Sequence, residues 1–260
     1  MQRHHLSTNG AIVNMMHIKK LIVSTAIIIV SALTANAEAQ PLFGEMLFLD
    51  KYVTENSRIK ADGLQPCVVL IGDSIFAIWK ELSPSFFTSN NYLCRGIGGN
   101  TSPQVLMRFR PDVIELHPRI VVIGIGTNDI AGGAGPYDMN YTLGNICSCA
   151  ELAEANGIHV ILSSVLPAVA FGWNPAVEDV PGQIDVLNAA IKSYAAKHGF
   201  GYVDFNTALR KRDGLARRYD SSDGVHPNLK AYKVMEELVE AEIERILRKT
   251  TAPVTKIEKH

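Results

Sequence analysis

Two motifs at opposite ends of the sequence contain residue types that together can cleave an ester. Ser74 follows Gly72-Asp73, and a serine hydroxyl becomes an effective nucleophile when a base removes its proton. His226 is a suitable base because imidazole titrates near neutral pH. Asp223, three residues earlier, can orient the imidazole and stabilise its charged form. These residues predict a Ser-His-Asp triad.

Two further motifs can supply hydrogen-bond donors to an oxyanion. The glycine-rich stretch 96–101 contains Gly99, which lets the backbone N–H approach a substrate closely. The segment 126–129 contains Asn128, whose side-chain amide is a second donor, and the Ser74 N–H is a third. The predicted oxyanion hole therefore consists of Ser74, Gly99 and Asn128.

Each motif also has an ordinary structural interpretation. Gly-Asp-Ser is a common turn, Asn128-Asp129 can cap a helix, and Asp223 can form an Asx turn. The glycines at 96–99 could form a phosphate-binding loop, but no Gly-Lys-Ser/Thr follows them. The presence of all four motifs in this order favours catalysis over these separate alternatives.

The elements that must position these residues alternate along the chain. Short runs rich in Val, Ile or Leu predict strands covered on both faces, and helical segments lie between them. This alternation predicts a parallel sheet with helices on both faces, in a single domain, residues 38–260. Its core spans about 43–248, and 249–260 form a charged tail. The predicted strands are Cys67–Ile71, Tyr92–Arg95, Ile120–Ile125, His159–Ser164 and Gly201–Phe205, and the predicted helices are Phe76–Leu82, Pro103–Arg110, Tyr141–Asn156, Ile184–His198 and Asn228–Arg248.

Three of the motifs follow predicted strands directly, and the fourth precedes the last helix. Ligands bind at the carboxyl edge of open α/β sheets, where these segments are expected to meet. A long segment without helical or strand pattern, 167–181, emerges at the same edge and contains Trp173. An aromatic ring there is a candidate substrate contact. Whether the segment closes over a substrate stays open.

The four motifs resemble the blocks of the SGNH (GDSL-type) hydrolase family. Its nucleophile, glycine, asparagine and DxxH blocks correspond to Ile71–Ser74, Gly96–Thr101, Gly126–Asp129 and Asp223–Pro227. The glycine block is most similar to the platelet-activating-factor acetylhydrolase-like branch, which is also rich in carbohydrate acetylesterases. The resemblance implies an α/β fold with three α/β/α layers, flavodoxin-like, built on a five-stranded parallel sheet. It also implies a serine esterase mechanism without metal or cofactor.

By motif position, the resemblance assigns Ser74 as nucleophile, Gly99 and Asn128 as oxyanion donors, and Asp223 and His226 as the remaining triad. This chain departs from many relatives at three positions, none of which is a catalytic group. Phe76 stands where Thr or Ser is common, Cys94 where Asn is common, and Asn100 where Asp is frequent. Phe76 is expected to narrow the floor of the site and contact the substrate.

The N-terminal segment has the composition of a secretory signal peptide. Arg3, Lys19 and Lys20 precede the apolar run Leu21–Leu33, and a small-x-small site at Ala35–Ala37 follows. The run is shorter than the ~20 residues of a permanent membrane span. We expect residues 1–37 to be removed and the protein to be periplasmic or secreted, without stable membrane insertion. An uncleaved anchor is the alternative.

The charge gives no sign of a nucleic-acid partner. The chain has 25 basic and 26 acidic residues, a net charge of −1. Loss of residues 1–37 removes three basic residues and no acidic ones, which leaves a charge of −4. Nucleic-acid binding would need a basic face. Oligomeric state is not indicated.

The four cysteines predict neither a disulfide scaffold nor a metal site. Cys147 and Cys149 are too close in a helix to face each other, and a lone Cys-x-Cys is a poor metal ligand set. Cys67 and Cys94 pair only if their Cα atoms lie within about 7 Å. We therefore expect no metal, and activity that survives a chelator.

These observations predict an exported serine esterase that removes short acyl groups, above all acetyl, from a carbohydrate. One alternative is a lysophospholipase or thioesterase that acts on longer acyl chains. A second, from another class, is a catalytically silent glycan-binding protein. The intact Ser74, Asp223 and His226 favour an enzyme.

Overall fold

The computed structural model describes residues 49–251. The predicted signal peptide, the first residues of the predicted core and most of the charged tail lie outside this range. Within it, no helix is both long enough and apolar enough to cross a membrane.

Five parallel strands form the central sheet in the order β2-β1-β3-β4-β5. This is the order of flavodoxin-like sheets, in which the topological switch point lies between β1 and β3. Their bounds are β1 Val68–Gly72, β2 Tyr92–Gly96, β3 Ile120–Gly124, β4 His159–Ser163 and β5 Gly201–Val203. The predicted five-stranded parallel sheet is confirmed, and the first four strand predictions agree to within one or two residues.

Helices cover both faces of the sheet. They are α1 Val53–Ala61, α2 Ser74–Leu82, α3 Pro84–Ser89, α4 Ser102–Asp112, α5 Thr127–Ile130, α6 Met139–Ala155, α7 Val180–His198, α8 Phe205–Leu209 and α9 Leu229–Thr251, with a 3-10 turn at Ile114–Leu116 and a hairpin of β6 Arg210–Lys211 and β7 Gly214–Leu215. The predicted end of the fifth strand at Phe205 is wrong. Asp204 caps α8 by accepting the Thr207 N–H, so the chain turns into a helix there.

Two hydrophobic clusters fill the space between the sheet and its helices. Val69 and Ile71 of β1 belong to the cluster beneath α4, α6 and α7, whereas Val68 and Leu70 belong to the cluster beneath α2 and α9. Successive side chains of a strand point to opposite faces, so one short apolar run serves both cores. This alternation produces the three α/β/α layers.

The carboxyl ends of three neighbouring strands are in register. Gly72 of β1 pairs with Gly96 of β2 on one side and with Gly124 of β3 on the other. The chain segments that carry the predicted nucleophile and oxyanion donors leave the sheet just after these positions. The register therefore brings three of the four motifs to one edge.

The last helix brings the fourth motif to the same edge. Asn228 caps α9 by accepting the Lys230 and Ala231 N–H groups, which places His226 just before the helix. The Tyr232 hydroxyl donates to the Ile75 carbonyl of α2 at 2.8 Å, deep in the core. Packing of α9 on α2 thus holds the two predicted triad segments together.

Candidate active site

Ser74, His226 and Asp223 form a continuous chain of hydrogen bonds. The Ser74 Oγ lies 2.8 Å from His226 Nε2, and His226 Nδ1 lies 2.6 Å from Asp223 Oδ2. Ser74 is the first residue of α2, so its own N–H has no carbonyl within the helix to bond. The geometry is that of a nucleophile, a base and a group that orients the base.

Asp223 is held by its own loop as well as by the imidazole. Its Oδ1 accepts the backbone N–H of Val225 at 2.9 Å and of His226 at 2.8 Å, so the predicted Asx turn and the contact with the ring coexist. Partial burial acts to raise the pKa of Asp223, but the hydrogen bonds from His226 and Val225 outweigh it, and the pKa is lowered. The carboxylate is therefore held in the ionised form that stabilises a charged imidazole.

The other two predicted oxyanion donors follow the neighbouring strands: Gly99 lies in the loop after β2, and Asn128 lies in α5 after β3. Gly99 has a φ of +76°, a conformation that glycine adopts without strain. The Asn128 Nδ2 donates to the Asn100 carbonyl at 3.0 Å, which fixes the orientation of its amide. An amide nitrogen carries two N–H groups, so the second remains for a substrate oxygen.

Asp129 connects its own motif to Ser102, the residue that follows the glycine-rich motif. It is not part of the hydrogen-bonded chain Ser74–His226–Asp223. Its carboxylate accepts the Ser102 N–H at 3.0 and 2.9 Å and the Ser102 hydroxyl at 2.6 Å. Ser102 is the first residue of α4, so Asp129 satisfies the N-terminus of a helix that precedes it in the chain. Asp129 thus does cap a helix, but the capped helix is α4, which precedes Asp129 in the chain.

A buried polar network behind the glycine-rich loop was not predicted from the sequence. The fully buried side chain of Arg95 donates to Asn56, and Asn56 donates to Asp112. Asp112 in turn pairs with the buried Arg108 of α4. These charged residues belong to no recognisable sequence motif. The feature that could have indicated a buried network is the charged Arg95 within the short strand β2.

Asp73, the residue before the predicted nucleophile, is a buried acid. It is 2% exposed, its Oδ1 accepts the Ile75 N–H at 2.9 Å, and its Oδ2 has no partner among the described residues. Burial raises the pKa of Asp73 to about 7, although the Ile75 N–H and the nearby His226 act to lower it. The nearby Asp129 acts to raise it further.

Asp73 is expected to make folding stability depend on pH. The pKa of Asp73 is higher in the folded protein than in the unfolded chain. Its contribution to the free energy of unfolding is therefore fully present at acid pH and is lost as the pH rises through about 7. Between pH 5 and 8, the free energy of unfolding of the wild type should fall by roughly 2–3 kcal/mol more than that of Asp73→Asn. Urea unfolding of both proteins at the two pH values measures this, and parallel decreases would contradict it.

Phe76 does not face the substrate side as predicted. It is 2% exposed, and its ring packs edge-on against Trp79 in the core beneath α2. A Cβ on Gly124 would lie 2.5 Å from the Phe76 ring, so the strand end itself covers the side chain. Phe76 is therefore a core residue, which lines a cavity of about 10 Å³ together with Asp73.

The long segment after β4 carries Trp173 close to the predicted triad. It ends at Asp179, not at Pro181, because Val180 and Pro181 begin α7. The indole is 52% exposed, and its ring centre lies 6.3 Å from that of His226. The next residue, Asn174, donates to the Ala131 carbonyl at 2.9 Å and ties the segment to the loop after α5.

The cysteines of the described range are all free thiols. Cys94 pairs in register with Leu70, three residues beyond Cys67. At about 3.3 Å per residue this offset alone is about 10 Å, too far for a disulfide between Cys67 and Cys94. Across residues 49–251, no group of three or more His, Cys, Asp and Glu side chains is arranged to hold a metal ion.

Comparisons with known proteins agree on one family. Residues 70–234 match the model of the GDSL-like Lipase/Acylhydrolase family. The structure of a proposed acylhydrolase from Bacteroides fragilis is 44% identical with a TM-score of 0.74, over 78% of this chain and 98% of that one. A GDSL-like lipase from Bacteroides thetaiotaomicron is 42% identical with a TM-score of 0.73, over 77% and 98%.

A curated relative adds an activity class. Esterase TesA from Pseudomonas aeruginosa is 27% identical over 176 residues, which cover 63% of this chain and 81% of that protein. The family match spans more than half of the chain and includes all four motifs. The chain thus belongs to the GDSL-like lipase/acylhydrolase family, as its motifs predicted, and is a carboxylic ester hydrolase.

Proposed function

We propose that Ser74, His226 and Asp223 are the catalytic triad of this esterase. The observation that carries the proposal is the pair of short contacts, 2.8 Å from Ser74 Oγ to His226 Nε2 and 2.6 Å from His226 Nδ1 to Asp223 Oδ2. His226 takes the proton of Ser74 as the hydroxyl attacks the ester carbonyl, and returns it to the leaving alcohol. A water molecule activated by His226 then releases the acid from the acyl-enzyme.

The tetrahedral intermediate formed in each step carries a negative charge on the former carbonyl oxygen. The N–H groups of Ser74 and Gly99 and the second N–H of the Asn128 amide are the proposed donors to that oxygen. Donors held in place before the reaction stabilise the transition state without reorganisation, and each is typically worth about 10²–10³ in turnover.

The proposed acyl group is short, above all acetyl. The support is the resemblance of the Gly96–Thr101 block to the platelet-activating-factor acetylhydrolase-like branch, which is rich in carbohydrate acetylesterases. The cavity of about 10 Å³ beside Asp73 and Phe76 lies in the core and is not lined by the proposed triad, so it does not bear on acyl length.

The proposed alcohol part of the substrate is a carbohydrate. Trp173 is half-exposed and its ring lies beside the imidazole that protonates the leaving alcohol. The face of an indole packs well against the apolar face of a sugar ring, which supports a glycan ester. A lipid is the second candidate, because Val169, in the same segment as Trp173, is also more than half exposed and apolar.

An acyl-length series tests the choice between these substrates. We expect kcat/KM for p-nitrophenyl esters to be highest for acetate and to fall with length, and we expect acetate release from acetylated sugars or polysaccharides. A maximum at eight carbons or more would instead support a lysophospholipase or thioesterase. Binding of glycans without hydrolysis of any ester would support the non-catalytic alternative.

The proposal includes export of the protein. It rests on the basic residues, apolar run and Ala-Asn-Ala site within residues 1–37, which lie outside the described residues. Export supports an extracellular or envelope glycan as the substrate. The exported chain should begin at Glu38, and an N-terminal sequence that retains the apolar run would contradict cleavage.

A further inference from the structure

Arg108 links the segments that carry the proposed oxyanion donors. Arg108 belongs to α4, the helix that follows the glycine-rich loop, and is only 1% exposed. The Nε donates to Asn100 Oδ1 at 2.8 Å, and Nη2 donates to the Gly72 carbonyl at 2.9 Å. Asn100 directly follows Gly99, and Gly72 lies two residues before Ser74. One side chain therefore holds the segments of two donors.

The third donor is connected through Asn100. The carbonyl of Asn100 accepts the Asn128 amide at 3.0 Å, so the same residue contacts Arg108 with its side chain and Asn128 with its backbone. The Asn100 Nδ2 is buried and has no partner among the described residues. Its orientation is nevertheless fixed, because a guanidinium has only donors and must face the oxygen.

We propose that Arg108 is a positioning residue that sets the spacing of the three oxyanion donors. The inference rests on the proposed function, since it assigns a role for Arg108 in that mechanism. Small displacements of donors weaken transition-state stabilisation more than they weaken substrate binding. Loss of the contacts to Asn100 and Gly72 should therefore lower kcat and leave KM almost unchanged.

Arg108 also has a purely structural contact, which the test must separate from positioning. Its Nη1 pairs with Asp112 Oδ2 at 2.8 Å, and Asp112 Oδ1 accepts the Asn56 amide at 2.7 Å. Neither bond to Asp112 involves Asn100 or Gly72. Asp112→Asn disturbs the same buried network, because an amide has one oxygen where the two carboxylate oxygens accept from Arg108 and Asn56. The substitution leaves the contacts of Arg108 with Asn100 and Gly72 in place.

The experiment compares Arg108→Lys with Asp112→Asn as the matched control. Lysine keeps the charge beside Asp112 but lacks the planar fork that reaches Asn100 and Gly72 together. We expect Arg108→Lys to lower kcat for p-nitrophenyl acetate by roughly 10–100-fold with KM within about twofold. Asp112→Asn should lower the melting temperature while kcat stays within about threefold of wild type. Equal loss of kcat in both variants would overturn the positioning role.

If Arg108→Lys does not fold, a second pair of variants tests the contact between Arg108 and Asn100. Asn100→Asp keeps an oxygen for Arg108, whereas Asn100→Leu removes it. The kcat of Asn100→Asp should exceed that of Asn100→Leu by about tenfold or more, and equal values would overturn the inference. The proposed function fails separately, if the wild type does not hydrolyse esters or if Ser74 is not required.

Discussion

Ser74→Ala is expected to lower kcat for ester hydrolysis by about 10⁴-fold or more while the protein remains folded. The Oγ is the only atom lost, and its hydrogen bond in the described structure is to His226 Nε2. Without it no acyl-enzyme forms, and the donors and the base retain only a small background rate. The Ser74 N–H remains available as an oxyanion donor, so the variant isolates the nucleophile.

The measurement is single-turnover and steady-state hydrolysis of p-nitrophenyl acetate, with the melting temperature as a test of folding. Ser148→Ala is a matched control, because the Ser148 hydroxyl is exposed and bonds the Gly144 carbonyl within its own helix. The control should retain wild-type kcat. Undiminished hydrolysis by Ser74→Ala would remove Ser74 from the mechanism.

Gly96→Ala is expected to destabilise the fold by at least about 3 kcal/mol and to abolish activity with it. A Cβ on Gly96 would lie 2.3 Å from Ala77 N, 2.7 Å from Phe76 C and 2.9 Å from Asp73 O. All three are backbone atoms of α2 or its cap, so no side-chain rotation relieves the overlap. The helix must move away from β2, and Ser74 moves with it.

Two neighbouring glycines calibrate this effect. A Cβ on Gly98 would meet nothing closer than 4.0 Å and its φ is not positive, so Gly98→Ala should change stability by less than about 1 kcal/mol. Gly99→Ala has space but a φ of +76°, and should cost about 1–2 kcal/mol. Urea unfolding should therefore rank the losses as Gly96, then Gly99, then Gly98. A Gly96→Ala protein as stable as Gly98→Ala would contradict the close approach.

Patterns of local sequence predicted the sheet and its long helices well, because burial on both faces leaves an unbroken apolar run. They failed at short elements such as α8, where Asp204 ends the apolar run of β5 and its carboxylate caps the helix that begins at Phe205. The long segment after β4 was recognised by its lack of helical or strand pattern, but its end was misjudged because Pro181 is acceptable in the first turn of α7.

For the site, residue types and motif spacing predicted which side chains come into contact. They did not predict the buried residues that support those side chains. Ser74, Asp223 and His226 are recognisable from residue type, and the structure brings them into contact. Phe76 was misjudged because an aromatic residue near a nucleophile resembles a substrate contact, whereas Gly72 and Gly124 at the strand ends leave room for its ring in the core. The role of Arg108 depends on contacts to Gly72 and Asn100, which no periodicity reveals.

The contact between Ser74 and His226 joins residues 152 positions apart, and the bond from Tyr232 to Ile75 spans 157. Nothing local assembles this site, because its base arrives with the segment that precedes the final helix. If the proposed triad is correct, a chain in which α9 has not docked holds its nucleophile without its base and is expected to be inactive. Gain of esterase activity during refolding should thus coincide with docking of α9, and would report completion of the whole domain, not formation of the sheet alone.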